Sequence, residues 1–250
     1  MDDSNAHSDE PSHAANLTPG LYIVGTPIGN LRDISLRALD VLRQCHVIYA
    51  EDTRVTSRLL ARYEIRKPLV SHHKFNEQAR FADLTRRINT GEAVALVSDS
   101  GMPGVSDPGG RLVRLCRENG YPVSVIPGPS ALASAISLCG MEATGYVFGG
   151  FLPHKSGARR RMLAQLARAG LPVILYESPY RLIKLMEELK ATFPQCDVYV
   201  GRELTKKFEE SLYGSPDDIV TAFSKRTVKG ELVVVVKFEA SPDVDSADAP

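Results

Sequence analysis

The 250-residue chain has no tryptophan, only four cysteines, few aromatic residues and no excess of either charge. No stretch approaches the roughly 18 consecutive apolar residues of a membrane-spanning helix, so no membrane partner is expected. Cys45, Cys116, Cys139 and Cys196 are scattered and form no CxxC pair, which argues against a disulfide framework and against a zinc site. No metal is expected, and a reducing cytoplasm suits such cysteines best. The N-terminal stretch is acidic and lacks an apolar core, so it does not read as a secretory signal. Zero net charge argues against a nucleic-acid partner only if the charges are evenly spread. They are not: residues 1–19 and 239–250 hold eight of the 30 acids and none of the 30 bases. The segment 20–238 therefore carries a clear positive excess. Both tails are polar and lack apolar periodicity, and are expected to be disordered.

Short β-branched runs alternate with amphipathic helical patterns between the tails. Strands are expected at Leu21–Val24, Val47–Ala50, Val94–Val97 and Val123–Ile126. Helices are expected near Ser35–Gln44, Thr56–Tyr63, Asn76–Asn89, Arg111–Glu118 and Ser130–Leu138. Repeated βα units of this kind imply an α/β fold with a largely parallel sheet. Gly145, Gly149 and Gly150 punctuate a boundary. Beyond it, helices at Arg159–Ala169 and Tyr180–Ala191 flank a strand at Val173–Tyr176. Further strands are expected at Val198–Val200, Glu209–Leu212 and Glu231–Phe238. Ser215-Pro216-Asp217-Asp218 reads as a helix start, a cap followed by an N1 proline and acids at the positive end of the dipole. The expected organisation is a domain over 20–141, a second α/β domain over 142–238, and a cleft between them.

Three loops that follow strands carry unusual chemistry. Gly25-Thr26-Pro27-Ile28-Gly29-Asn30 matches neither a dinucleotide fingerprint nor a P-loop. It reads equally as a ligand loop or as an ordinary turn. Asp99 to Gly110 packs four glycines, two prolines and two aspartates into twelve residues, longer than a connection needs. Ile126-Pro127-Gly128-Pro129-Ser130 ends in a serine that can cap the next helix. Loops at the C-terminal ends of strands are where open α/β sheets bind ligands. Together the three describe a crevice of backbone donors and acceptors with little fixed charge beyond Asp99, suited to a neutral or zwitterionic cofactor.

Ala143 to Tyr176 contains no acid yet carries Lys155, Arg159, Arg160, Arg161 and Arg168. Cations at a helix N-terminus oppose the dipole, so phosphate contact is the expected role, with a solvated helix face as the alternative. Arg202, Lys206 and Lys207 extend the patch. Glu177 either orients a substrate, pairs with Arg181 or favours the helix start. Glu51-Asp52-Thr53-Arg54 is a polar run at a strand end. His72-His73-Lys74 lacks the further ligand a zinc site would need.

The blocks LYIVGTPIGNLRDIS, AEDTR, SDSGMPGVSDPG, VIPGPSA, GFLP, YESPYR, RELTKKFEE and KGE occur in this order. They resemble the tetrapyrrole-methylase-like (class III) superfamily of S-adenosylmethionine-dependent methyltransferases, over about residues 20–238. Within it they are similar to the branch that methylates a cytidine ribose 2′-hydroxyl in the decoding region of 16S rRNA. GTPIG in the first loop and SDSG in the second depart from the corrinoid pattern, and Ser100 stands where that branch usually has Ala. The resemblance implies two α/β domains, a cofactor cleft between them, a homodimer and the small ribosomal subunit as partner. It further implies cofactor contacts from Pro27, Ile28, Asp99, Gly101, Met102, Pro103, Ser130, Ala131, Tyr176, Leu204 and Gly230. RNA contacts are expected from Lys155, Arg159, Arg160, Arg161, Arg202 and Lys207.

Transfer to a ribose hydroxyl needs a base, for which Lys206 or Lys207, Glu177, Glu203 and His72 are candidates. Lys206 and Glu203 are preferred as catalytic residues, because their block pairs a cation with a carboxylate beside the cofactor. Two other readings stay open, a small-molecule methylase of the same fold and a non-catalytic RNA-binding protein.

Overall fold

The computed structural model describes residues 17–73, 76–224 and 226–239, so the expectation for the two tails lies almost wholly outside the described residues. The first half runs β1 (Gly20–Val24), α1 (Leu36–Gln44), β2 (Val47–Ala50), α2 (Thr53–Arg62), β3 (Leu69–Ser71), α3 (Glu77–Asn89), β4 (Ala93–Val97), α4 (Gly110–Glu118), β5 (Val123–Ile126) and α5 (Ala131–Cys139). Its sheet is parallel throughout, in the order β3-β2-β4-β1-β5. β1, β2 and β4 are buried on both faces, which accounts for their continuous apolar runs. Because β4, β1 and β5 are neighbours, the three glycine- and proline-rich loops leave the sheet side by side.

The second half runs β6 (Val147–Phe151), α6 (Ser156–Ala167), β7 (Val173–Glu177), α7 (Pro179–Thr192), β8 (Cys196–Arg202), β9 (Glu210–Gly214), α8 (Pro216–Ser224) and β10 (Leu232–Phe238). Its sheet has the order β6-β7-β10-β8-β9 and is mixed, with only β6 and β7 parallel. Leu182, Leu185, Met186 and Leu189 are fully buried on α7 and pack with Val173, Leu175 and Val234. Each such side chain contributes about 1.5–3 kcal/mol by leaving water.

Three expectations need correction. α2 begins at Thr53 rather than Thr56, because Asp52 caps it by accepting the Arg54 N–H at 2.8 Å. Gly149 and Gly150 are not boundary punctuation. They lie in β6, where the register with β7 shifts between Phe148 and Gly150 and Gly150 adopts φ +60°. Helix α6 begins at Ser156, three residues before the expected start.

Helix α5 joins the halves. Its sequence ALASAISLC is largely apolar, but only Ala135 and Cys139 are buried, and Leu138 is 49% exposed. Ala135 and Cys139 pack with Ile174, Tyr199, Val233 and Val235 of the second sheet. All four cysteines are buried and unbridged. No described helix is long and apolar enough to cross a membrane.

Candidate active site

A cavity of about 460 Å³ opens between the C-terminal edge of the first sheet and the face of the second. Its volume falls in the roughly 300–1,000 Å³ range of small-molecule sites. Ile28, Asp99, Gly101, Met102, Ser130 and Ala131 line it from the first half. Tyr176, Glu177, Leu204, Lys206 and Gly230 line it from the second. Two expected contacts fall elsewhere. Pro27 lines a second, smaller cavity, and buried Pro103 stands outside the cleft wall.

The loops are held to each other by backbone. Thr26 N–H donates to Gly101 O at 2.9 Å, and Gly101 N–H returns the bond to Thr26 O at 3.2 Å. Gly25 and Gly128 approach so closely that a Cβ on Gly25 would lie 2.7 Å from Gly128 Cα. No other residue type fits this crossing without moving backbone. Ser130 caps α5, accepting the Ala133 N–H at 3.5 Å, and also stands on the cleft wall.

The far wall reaches across to the first loop. Asn30 N–H donates to Thr205 Oγ1 at 3.1 Å, and Gly29 leaves room for the Lys206 chain. Glu203 and Thr205 both adopt positive φ, at 51° and 68°. For residues other than glycine this costs about 1–3 kcal/mol each, and such strain is tolerated where surrounding bonds over-determine it. Here Glu203 Oε1 accepts Lys206 Nζ at 2.8 Å and Glu231 N–H at 2.9 Å.

These bonds overturn the assignment of Lys206 as a neutral base. Its ammonium lies 2.8 Å from both Glu203 and Glu231. Burial alone would favour the neutral amine, but the two carboxylates outweigh it and hold the lysine above its ordinary range. Glu203 is shifted the opposite way. Burial would raise it, but the Lys206 ammonium and the Glu231 N–H hold it below the usual carboxylate range. A charged lysine cannot accept a proton, and so stabilised a carboxylate is a weak base. His72 also fails as a base for this cleft. It is 1% exposed behind Tyr49, 3.9 Å from Glu77, and not on the wall.

Two wall carboxylates are shifted upward. Burial raises Asp99, partly offset by the Asp52 N–H that donates to its Oδ1 at 3.0 Å. Burial raises Glu177 as well, against the opposing Ser178 N–H and Arg181 charge. Glu177 Oε1 accepts the Ser178 N–H at 2.7 Å and lies 3.2 Å from Arg181 Nε. Its Oε2 is buried with no hydrogen-bond partner among the described residues, an acceptor left available at the wall.

The expected RNA contacts divide. Arg159 is 2% exposed: Nε and Nη2 bond both Glu188 oxygens at 2.5 and 2.6 Å, and Nη1 bonds His154 O. It therefore ties α6 to α7 and is withdrawn as a phosphate ligand. Arg202 is also occupied, donating to Lys229 O at 2.8 Å and pairing with Glu210. Lys155, Arg160, Arg161 and Lys207 are exposed, and none makes an ion pair among the described residues.

Several wall residues had no signal in composition or spacing. Glu231 comes to the cleft through the turn before β10, and Phe151 from the end of β6. The polar run that follows β2 was the one usable hint for Glu51. Among the described residues no cluster of three His, Cys, Asp or Glu could hold a metal ion.

Comparison with known proteins gives a consistent result. The family profile described as tetrapyrrole (corrin/porphyrin) methylases matches residues 20–219. A ribosomal RNA small subunit methyltransferase I of Thermotoga maritima is 41% identical over 216 residues, covering 86% of this chain and 97% of that one. One of Neisseria meningitidis serogroup B is 43% identical over 218 residues, covering 86% and 75%. Among solved structures, a diphthine synthase superposes with TM-score 0.69 at 16% identity, covering 88% of this chain and 90% of its own. A uroporphyrin-III C-methyl transferase of Thermus thermophilus, complexed with S-adenyl homocysteine, gives 0.61 at 21% identity and covers 86% and 96%. At such identities the structural likeness concerns the fold alone.

Proposed function

The chain belongs to the tetrapyrrole (corrin/porphyrin) methylase family, and from that premise we propose that it methylates ribosomal RNA of the small subunit. The methyl donor is S-adenosylmethionine, and the acceptor is the 2′-hydroxyl of a cytidine ribose in the decoding region of 16S rRNA. The observation that carries the reading is the 460 Å³ cleft beside an exposed basic face, in a chain over 40% identical to proteins named for methylating that RNA. A small-molecule methylase has no use for Lys155, Arg160 and Arg161 outside its cleft, and a mere RNA-binding module has no use for the cleft.

The residues present fit the donor. Its adenine and methionine parts can meet the backbone of Gly101, Met102 and Ala131, the apolar Ile28 and Leu204, and the unpartnered oxygen of Glu177. Bound there, S-adenosylmethionine supplies an electrophilic methyl on a sulfonium that needs no metal to activate it. The protein must align the ribose oxygen with that methyl, a positioning contribution that can supply most of the acceleration.

It must also take the hydroxyl proton. Asp99 is the carboxylate we assign to this: it stands two residues beyond β4, the middle strand of the sheet, and on the walls of both cavities. Its raised pKa brings it nearer the working pH, where a carboxylate is a more effective base. The exposed cations beside α6 hold flanking phosphates. Lys155→Ala and Arg160→Ala should each weaken RNA binding and lower its salt slope by about 1, with donor affinity unchanged. Titrations at several salt concentrations check this.

A homodimer and a cytoplasmic location belong to the same proposal. Incubation with labelled donor and small subunits, naked 16S rRNA or a tetrapyrrole precursor tests it. Label entering only ribosomal RNA supports the reading, and label in the tetrapyrrole sinks it.

A further inference from the structure

A second cavity, of about 180 Å³, lies on the other side of Asp99. Thr26 and Pro27 of the first loop, Leu31, and Val55, Thr56, Arg58 and Leu59 of α2 form most of its wall. It is smaller than the roughly 300–1,000 Å³ of sites that enclose a whole small ligand, so it takes one ring and leaves the rest of the ligand outside. The wall is mainly apolar, and Leu31 and Val55 at 40% and 36% exposure keep their side chains toward solvent.

Two features of this cavity have no structural explanation. Thr56 is 2% exposed and its Oγ1 has no hydrogen-bond partner among the described residues. A threonine inside a helix usually bonds the carbonyl four residues back, but here the Asp52 carbonyl receives only the Thr56 backbone N–H. A buried hydroxyl left so costs stability, and its position on the wall offers it to an occupant. The second feature is charge. Arg54, Arg58 and Arg62 are exposed on one face of α2 at spacings of four. Like charges so placed destabilise a helix. Arg54 pairs with Asp52, while Arg58 and Arg62 make no ion pair among the described residues.

We propose that this cavity receives the pyrimidine base of the nucleotide whose ribose is methylated, and that Arg58 and Arg62 on the exposed face of α2 carry the adjoining phosphates. The proposal rests on the RNA-methylating reading above. The faces of the base lie against Pro27, Leu31 and Leu59, as a base drawn out of its stack lies against apolar side chains. The Thr56 hydroxyl, able both to donate and to accept, bonds the polar edge. With the base on one side of Asp99 and the donor cleft on the other, the ribose bridges the two and its hydroxyl falls beside the carboxylate.

The test uses the full chain, small ribosomal subunits and labelled donor. Val55→Phe fills the cavity from a position already near solvent, and Thr56→Val removes only the hydroxyl. Val55→Phe is expected to lower kcat/KM for RNA by about a hundredfold, the range in which one misfitted group is excluded from a shaped pocket. Thr56→Val is expected to lower it about tenfold, the loss of one buried hydrogen bond. Donor affinity by calorimetry should stay at the wild-type value in both; Tm should hold in Val55→Phe and hold or rise in Thr56→Val, which removes an unpartnered buried hydroxyl. Wild-type rates in both variants would overturn the proposal while leaving the RNA-methylating reading intact. Loss of donor affinity in step with rate would also overturn it, since the cavity would then belong to the donor site. If wild-type protein itself fails to label RNA, the broader reading falls first.

Discussion

Replacing Arg159 with alanine is expected to remove about 3 kcal/mol of stability, the cost of losing the buried guanidinium and leaving the partly buried Glu188 carboxylate without its partner. Glu188 would keep only the Ser156 hydroxyl at 2.6 Å, and the Pro153–His154 carbonyls would lose their shared donor. In a chain of this size the change corresponds to a fall in Tm of roughly 10 °C. Arg159 holds Glu188 below the usual carboxylate range, so the pair is charged at neutral pH. Arg160→Ala, one residue along and exposed, should leave Tm within a degree or two, because exposed charges contribute little. Thermal unfolding of the two variants side by side checks the contrast. Equal Tm values would return Arg159 to the RNA surface.

The second large effect concerns the proton. Asp99→Asn keeps an oxygen for the Asp52 N–H but cannot accept a proton, so single-turnover methyl transfer should slow by about 10²- to 10⁴-fold. Donor binding should change little. The sign of the pH dependence follows from burial. Asp99 is raised, so in the wild type the basic form is lost as pH falls through a value above the usual carboxylate range. The rate should therefore rise with pH across that window and level off above it. In Asp99→Asn the slow residual rate should be flat over the same window. A wild-type rate in the variant, or an unchanged acid limb, would assign the proton to Glu177, the other raised carboxylate on the wall.

Much of this arrangement was legible in the sequence where the controlling interactions are local. β2 and β5 run over the expected residues, and the cap expected at Ser130 accepts from a helix N–H, because strand propensity and capping act within a few residues. The three loops converge because β4, β1 and β5 are adjacent, an order that loop composition hinted at without specifying. Errors arose where a partner is distant in sequence. Arg159 looked free because no acid occurs in its neighbourhood, yet Glu188 lies 29 residues on, across an interhelical contact. Lys206 looked ready to be neutralised by burial, yet Glu231 comes to it from the turn before β10. The arginines of α2 were passed over because they are spread along ten residues and only the helix gathers them onto one face.

The central claim is the transfer of a methyl group to a ribose oxygen of the small-subunit RNA. Its most direct test is to label small subunits with donor carrying a radioactive methyl, digest the RNA to nucleosides and separate them. The label is expected to elute with 2′-O-methylcytidine, to fall in one decoding-region fragment when a parallel sample is digested only to oligonucleotides, and to vanish with the Asp99→Asn enzyme over the same time. Label on a base, or spread over many nucleosides, would contradict it.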